Sequence, residues 1–214
     1  MIALIGGTGP EGMGLALRLA QAGERIVIGS RSEARAREAA GKIKARLPHA
    51  DVRGAENAVA AREADVIIVT VPYEGQEETL ESLRDHIAAK VVIDAVVPLD
   101  LGRSRVSVLP VEEGSAAQQA QRLLPRARVV AAFQHINADR LADLDVPLDA
   151  DVVVCGDDPD AKRTAMALAE KIGGVRALDG GVLANARYLE QTTALLVVLN
   201  RIHKARSSVR FTGI

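Results

Sequence analysis

The sequence predicts an α/β protein with a doubly wound, mainly parallel sheet and a small C-terminal α/β part. Three observations support this. Short β-branched runs alternate with longer alanine-rich segments, those runs are apolar at nearly every position, and a glycine-rich turn joins the first run to the first helical segment. Strands covered by helices on both faces need such uniform apolarity, because neither face meets water.

The first strand is Ile2-Ala3-Leu4-Ile5, followed by a helix over 10–22 and a second strand, Arg25-Ile26-Val27-Ile28. A charged helix over 32–47, a short strand near Val52 and an apolar strand over 66–71 continue the βαβ rhythm. A helix over 76–88 and the strand Val91-Val92-Ile93 follow. Between 98 and 114 two prolines and two glycines break the pattern, which marks a loop within the domain rather than a linker. A helix over 115–124 and a strand over 129–133 resume it. After Pro147 come a strand over 151–155, a helix over 160–172 and a turn carrying Gly173-Gly174 and Gly180-Gly181. The last helix, from Leu183 to about 205, is apolar at Leu189, Leu195, Leu196, Val198, Leu199 and Ile202. That exceeds one amphipathic stripe, so part of it is expected to meet a second subunit in a homodimer. The length, 214 residues, suits one domain with an appendage, divided here into 1–150 and 151–214.

Composition narrows the function. Hydrophobic residues at 48% against 26% charged exclude disorder. A balance of 27 basic and 28 acidic side chains offers no polyanion-binding surface. Aromatics are limited to Tyr73, Phe133, Tyr188 and Phe211, too few for a base-stacking platform, so nucleic acid is not an expected partner. The single cysteine, Cys155, cannot form an internal disulfide, and nothing near Met1 resembles a charged segment before a cleavage site; a reduced, cytoplasmic protein is expected. The longest apolar run, 194–199, is far short of the ~20 residues of a membrane helix, so no membrane partner is expected.

Gly7-Thr8-Gly9-Pro10-Glu11-Gly12 fits G-x-G-x-x-G between the first strand and first helix, the setting of a Rossmann-type dinucleotide turn. The first glycine allows the tight turn, the second lets backbone amides approach a pyrophosphate, and the third lets helix pack on strand. Pro10 suits the first helical position. The competing possibility is a purely structural turn. After the second strand an NAD site usually carries an acid against the ribose 2′-hydroxyl, whereas this chain reads Gly29-Ser30-Arg31-Ser32 with Arg35 one turn on. Ser30, Arg31 and Arg35 suit a 2′-phosphate and favour NADP(H) as the cofactor. Otherwise the two arginines are a solvated helix face, as Arg37 and Lys42 are expected to be.

Ligands of such sheets bind beyond the carboxyl ends of the strands, here Thr70-Val71-Pro72-Tyr73, Asp94-Ala95-Val96-Val97-Pro98 and Phe133-Gln134-His135-Ile136-Asn137. The first two offer rigid apolar surface to a nicotinamide ring, or each proline simply ends its strand. His135 is either a donor to a substrate or a satisfied polar group. His49, His86 and His203 read as surface. The chain carries no H-E-x-x-H, no paired cysteines and no G-x-S-x-G elbow, so neither a metal cage nor a serine nucleophile is expected. Cys155 reads as a small buried hydrophobe, and Asp157-Asp158 before Pro159 as a turn and helix cap. Hydride transfer is the chemistry least in need of protein acids and bases, and no catalytic side chain is assigned beyond the candidate His135.

The segments Ile5-Gly6-Gly7-Thr8-Gly9, Gly29-Ser30-Arg31, Val71-Pro72-Tyr73, Val96-Val97-Pro98, Val154-Cys155-Gly156-Asp157-Asp158 and Ala184-Asn185-Ala186-Arg187 together resemble the NADPH-dependent reductases of coenzyme F420, a deazaflavin. The resemblance spans nearly the whole chain. It implies direct hydride exchange between C4 of NADPH and C5 of the deazaflavin in a cleft between the nucleotide domain and the C-terminal part. It further implies that Thr8 and Gly9 meet the pyrophosphate, that Val71, Pro72 and Val97 flank the nicotinamide, and that the loop after Phe133 and the segment from Leu183 through Ala184 to Asn185 border the deazaflavin. Gln134 stands where members often have histidine, and Arg35 where they often have lysine. Two other functions remain open on the residues alone: an NADP-dependent dehydrogenase of a small carbonyl, hydroxy-acid or imine substrate, and a non-enzymatic NADP sensor.

Overall fold

The computed structural model describes residues 1–102 and 105–214. The strands are β1 (Ile2–Ile5), β2 (Ile26–Ser30), β3 (Val52–Glu56), β4 (Val66–Val69), β5 (Val91–Asp94), β6 (Leu99–Leu101), β7 (Val106–Val108), β8 (Arg128–Ala131), β9 (Ala150–Gly156) and β10 (Val175–Asp179). The helices are α1 (Pro10–Gln21), α2 (Glu33–Arg46), α3 (Asn57–Glu63), α4 (Gln76–Ile87), α5 (Ala116–Leu123), α6 (Ala138–Ala142), α7 (Pro159–Glu170) and α8 (Ala186–His203). Eight strands form one sheet in the order β10-β9-β8-β5-β4-β1-β2-β3, with β6 and β7 pairing separately. The stretch from β3 to β8 is parallel throughout, β9 runs antiparallel to β8, and β10 runs parallel to β9. The doubly wound, mainly parallel α/β fold expected from the sequence is present.

The uniform apolarity of the strands has a direct structural cause. Ile2 and Leu4 pack on one face with side chains of α1, α2, α6 and α7. Their neighbours Ala3 and Ile5 pack on the other with α3, α4, α5 and the start of α8. A polar residue on either face of β1 would be buried without water.

Several segments depart from expectation. The strand expected over 66–71 stops at Val69, because Pro72 cannot extend a ladder and Thr70 turns both its backbone N and its hydroxyl to the Ile5 carbonyl, at 2.9 and 3.2 Å. The strand expected over 129–133 stops at Ala131, and Phe133 adopts φ +75°, a strained left-handed conformation for a bulky residue. The segment 98–114, expected to be a loop, holds the antiparallel pair β6 and β7, whose Leu-Asp-Leu and Val-Ser-Val alternate with period two; Arg103 and Ser104 lie outside the described residues. Helices α3 and α6 are too short to show a helical period. Strand β10 was hidden between glycine pairs: Gly174, at φ +85°, lies so close to the Leu148 carbonyl that any side chain would clash. The last helix begins at Ala186, after a single 3₁₀ turn over Leu183–Asn185.

Two buried charges fix the parts that surround the site. Arg18 on α1 donates from Nε to the Leu141 carbonyl and from Nη2 to those of Arg140 and Val146, each at 2.9 Å, clamping α6 and the following turn against α1. Asp151 at the start of β9 is fully buried and accepts from Arg176 (2.8 and 2.7 Å), Arg210 (2.9 Å) and the Phe211 amide (2.6 Å). These donors, Arg176 foremost, hold its carboxyl below the usual carboxylate range. The resulting stability is full above the unfolded pKa near ~4 and is lost as pH falls below it. Asp151→Asn is expected to lower unfolding free energy by about 3 kcal/mol at pH 7, the cost of stranding a paired charge, with the gap to wild type narrowing below pH ~4; denaturant titration at both pH values checks this.

Candidate functional site

A cleft of about 700 Å³ opens at the carboxyl ends of β1, β2, β4 and β5. The glycine-rich turn forms one wall, each glycine for its own reason. Gly6 sits at φ +72°, with Val71 Cγ1 2.5 Å from where a Cβ would stand. Gly7 is buried, and its N–H donates to the Leu4 and Gly29 carbonyls, both at 3.1 Å. A Cβ at Gly12 would lie 2.6 Å from Gly7 Cα, so helix and turn touch there. Gly9 differs: a Cβ would meet nothing nearer than the Gly6 carbonyl at 3.9 Å, so this position opens into the cleft. Helix α1 starts there without a side-chain cap and with Pro10 in its first turn. An uncapped helix start with open space above a glycine is a cradle for an anionic group.

At the next strand Ser30 is buried and its Oγ accepts from the Ser32 amide at 3.2 Å. Arg31 and Arg35 are exposed and line the same cleft. Among the described residues neither forms an ion pair, whereas Arg37 pairs with Glu33 and Lys42 with Glu38, each at 2.7 Å. The distinction separates two open cations facing the cleft from a neutralised outer helix face.

Val71, Pro72, Tyr73 and Val97 line the cleft, as do Thr8, Gly9, Pro10 and Glu11. Pro98 does not; it is buried behind Val97. Beneath this floor runs a buried chain of hydrogen bonds. Tyr73 Oη donates to Gln119 Oε1 (3.1 Å), Gln119 Nε2 to Gln76 Oε1 (2.9 Å), and Gln76 Nε2 to Asp94 Oδ1 (2.9 Å). Burial pushes the Asp94 carboxyl well above its ordinary range, which favours its protonated form. Gln134 Nε2 donates to the Asp94 carbonyl at 3.0 Å, tying the loop after β8 to the cleft floor.

That loop borders a second, smaller cavity of about 200 Å³, lined by Gln134, His135, Ile136, Thr193, Asn200 and, from α1, Glu11. His135 is buried, with its Nε2 2.9 Å from the Asp151 carbonyl and 3.4 Å from the Val153 amide, while Nδ1 has no partner. Burial lowers its pKa, so it is neutral at pH 7. Thr193 Oγ1 donates to the Gln134 carbonyl at 2.9 Å, fixing α8 to the loop, while Gln134 Oε1 is left without a partner. Ala184 and Asn185 line neither cavity; the Asn185 amide group donates to the Gly180 carbonyl at 2.8 Å and shapes the turn into α8.

Sequence reasoning missed Gly6 and Asn57 in the first cavity and Thr193 and Asn200 in the second. Asn57 follows β3 and its buried Oδ1 has no partner. The rule that ligands sit beyond strand ends would have found it had β3 been followed to Glu56. Among the described residues no group of His, Cys, Asp or Glu could hold a metal ion.

A parallel sheet with an anion cradle, paired open arginines and an apolar floor at its carboxyl ends defines a dinucleotide-binding oxidoreductase of the doubly wound class. Residues 1–98 match the family described as NADP oxidoreductase, coenzyme F420-dependent. The F420-dependent NADP reductase of Methanothermobacter thermautotrophicus is 46% identical, over all of this chain and 95% of its own length, and that of Methanocaldococcus jannaschii is 42% identical, over all of this chain and 98% of its own. A crystal structure from Arthrobacter sp. FB24, provisionally named an F420-dependent NADP reductase, superposes with TM-score 0.82 at 26% identity, covering 98% of this chain and 99% of that one. The chain belongs to the F420-dependent NADP reductase family.

Proposed function

We propose that the protein transfers a hydride directly between NADP(H) and the deazaflavin coenzyme F420, with both as substrates. The observation that carries this is the pairing of a nucleotide cleft bearing two open arginines with an adjoining cavity at the Gln134 loop, in a chain of this family. Gly7, Thr8, Gly9, Pro10, Glu11 and Gly12 form the pyrophosphate turn. Ser30, Arg31 and Arg35 take the 2′-phosphate; Val71, Pro72, Tyr73 and Val97 support the nicotinamide, with Pro98 stiffening Val97 from behind. Gln134, His135 and Ile136 border the deazaflavin, and Ala184 and Asn185 shape the turn that sets α8 beside it. The protein contributes alignment of two ready-made redox partners. Loss of the oxidised deazaflavin's visible absorbance, one for one with NADPH oxidation by the purified protein, tests the reaction.

The nucleotide part is assigned to 1–150 and the part bordering the cleft to 151–214, although β9 and β10 extend the same sheet. No helix among the described residues is long and apolar enough to cross a membrane. A reduced cytoplasmic setting suits the one buried cysteine. On α8, Tyr188, Leu195 and Ile202 are 56%, 57% and 66% exposed and stand seven residues apart, so they share one face. An apolar face of this kind supports a homodimer. Light scattering at micromolar concentration is expected to give twice the chain mass, and Leu195→Glu to give a monomer.

A further inference from the structure

Glu11 is the one carboxylate that lines both cavities. It stands in the first turn of α1, where the helix end favours a negative side chain, yet its Oε1 is buried with no hydrogen-bond partner. Burial of that oxygen without a donor favours the carboxylic acid over the carboxylate. Desolvation accordingly pushes its pKa up to about 8. A ligand phosphate at the same turn adds negative charge and raises it further.

Resting on the function proposed above, we propose that Glu11 is an acid catalyst of the reaction, holding a proton in the wall shared by the two cavities and releasing it as the hydride is delivered. Reduction of an oxidised deazaflavin by NADPH consumes one proton besides the hydride. The nicotinamide C4–H bond breaks with its electron pair and a C–H bond forms at the acceptor. The charge this leaves on the acceptor ring nitrogen is neutralised as the Glu11 O–H bond breaks and an N–H bond forms. Glu11, now a carboxylate, regains its proton from water; in the reverse direction it is the base.

The other titratable groups do not fill this role. His135 shares the second cavity, but burial lowers its pKa, and a neutral imidazole is not a proton donor near pH 7 whichever nitrogen carries the hydrogen. Asp94, whose burial likewise favours the protonated form, lines neither cavity. On the cleft side the charged or titratable neighbours are Arg31, Arg35, Tyr73, Glu74 and Glu78, and none hydrogen-bonds to Glu11 Oε1.

Glu11→Gln preserves shape and neutrality and removes the transferable proton. At pH 7 it is expected to bind NADP within about twofold of wild type while lowering kcat by roughly a hundredfold, the ordinary share of general acid catalysis, and to lack the fall in wild-type kcat above pH ~8. A ligand-free measurement is independent of turnover. Because the folded pKa lies above the unfolded one, wild-type stability declines from pH ~4.5 to ~8 relative to the variant, so the variant's Tm advantage should grow across that range. An active wild type matched in kcat and pH profile by Glu11→Gln, or a Tm difference that does not change with pH, overturns the role of Glu11 alone. A wild type that binds NADPH but reduces no deazaflavin overturns the proposed function and this role with it.

Discussion

Arg31→Ala is expected to weaken NADPH binding by roughly ten- to a hundredfold while leaving NADH binding nearly unchanged. A charge-assisted contact to phosphate contributes on the order of 1.5–3 kcal/mol, which converts to that range in Kd. The selectivity follows because NADH carries a hydroxyl where NADPH carries the phosphate. Arg31 has no competing carboxylate among the described residues, so its guanidinium is available without breaking an ion pair. Arg35, one helical turn on, retains part of the attraction in the single variant, and Arg31→Ala with Arg35→Ala should lose more. Fluorescence titration with both cofactors checks the result. Equal losses for NADPH and NADH would remove the 2′-phosphate assignment.

Val97→Phe is expected to lower kcat by about a hundredfold, with NADPH affinity falling much less. Val97 is half-buried at the cleft floor, backed by buried Val96 and Pro98, so a larger side chain projects into the cleft rather than sinking into the core. Hydride transfer depends on two rings at near-contact distance, and a displacement of about 1 Å is enough for a hundredfold loss. His135→Ala should change kcat less, acting on deazaflavin binding and on stability, because His135 is a neutral group bonded to the Asp151 carbonyl. Steady-state kinetics on the two variants separates these effects. A His135→Ala loss exceeding that of Val97→Phe would place proton chemistry at the histidine and contradict the alignment mechanism.

The sheet was legible because both faces of each strand are covered, which leaves an unbroken apolar signature in β1, β4 and β5. The turn from Gly7 to Gly12 was legible because each glycine answers a separate steric demand, although Gly6, at the positive φ that lets the chain pass Val71, was overlooked. The elements missed were short or masked. Helix α3 has seven residues and α6 five, less than two full turns, so no period emerges. Strand β10 lies between two glycine pairs that mark its ends and that read in sequence as a single turn. In the site, the residues from β1, β2, β4 and β5 were accessible to strand-end reasoning, and all but Pro98 line the cleft or build its turn. What remained hidden depends on tertiary contact. The bond from Thr193 to the Gln134 carbonyl joins positions 59 residues apart. The wall at Glu11 likewise joins α1 to the loop after β8 and to α8, with α6 held against α1 by Arg18.

Direct hydride transfer is tested most immediately by a single turnover with NADPH deuterated at C4, on each face in turn, followed by analysis of the reduced deazaflavin. The expected result is deuterium at C5 of the product from one of the two labelled faces, and none in solvent. Absence of deuterium at C5 with either label would mean that the hydride does not pass directly between the two rings, and would contradict a mechanism built on their alignment.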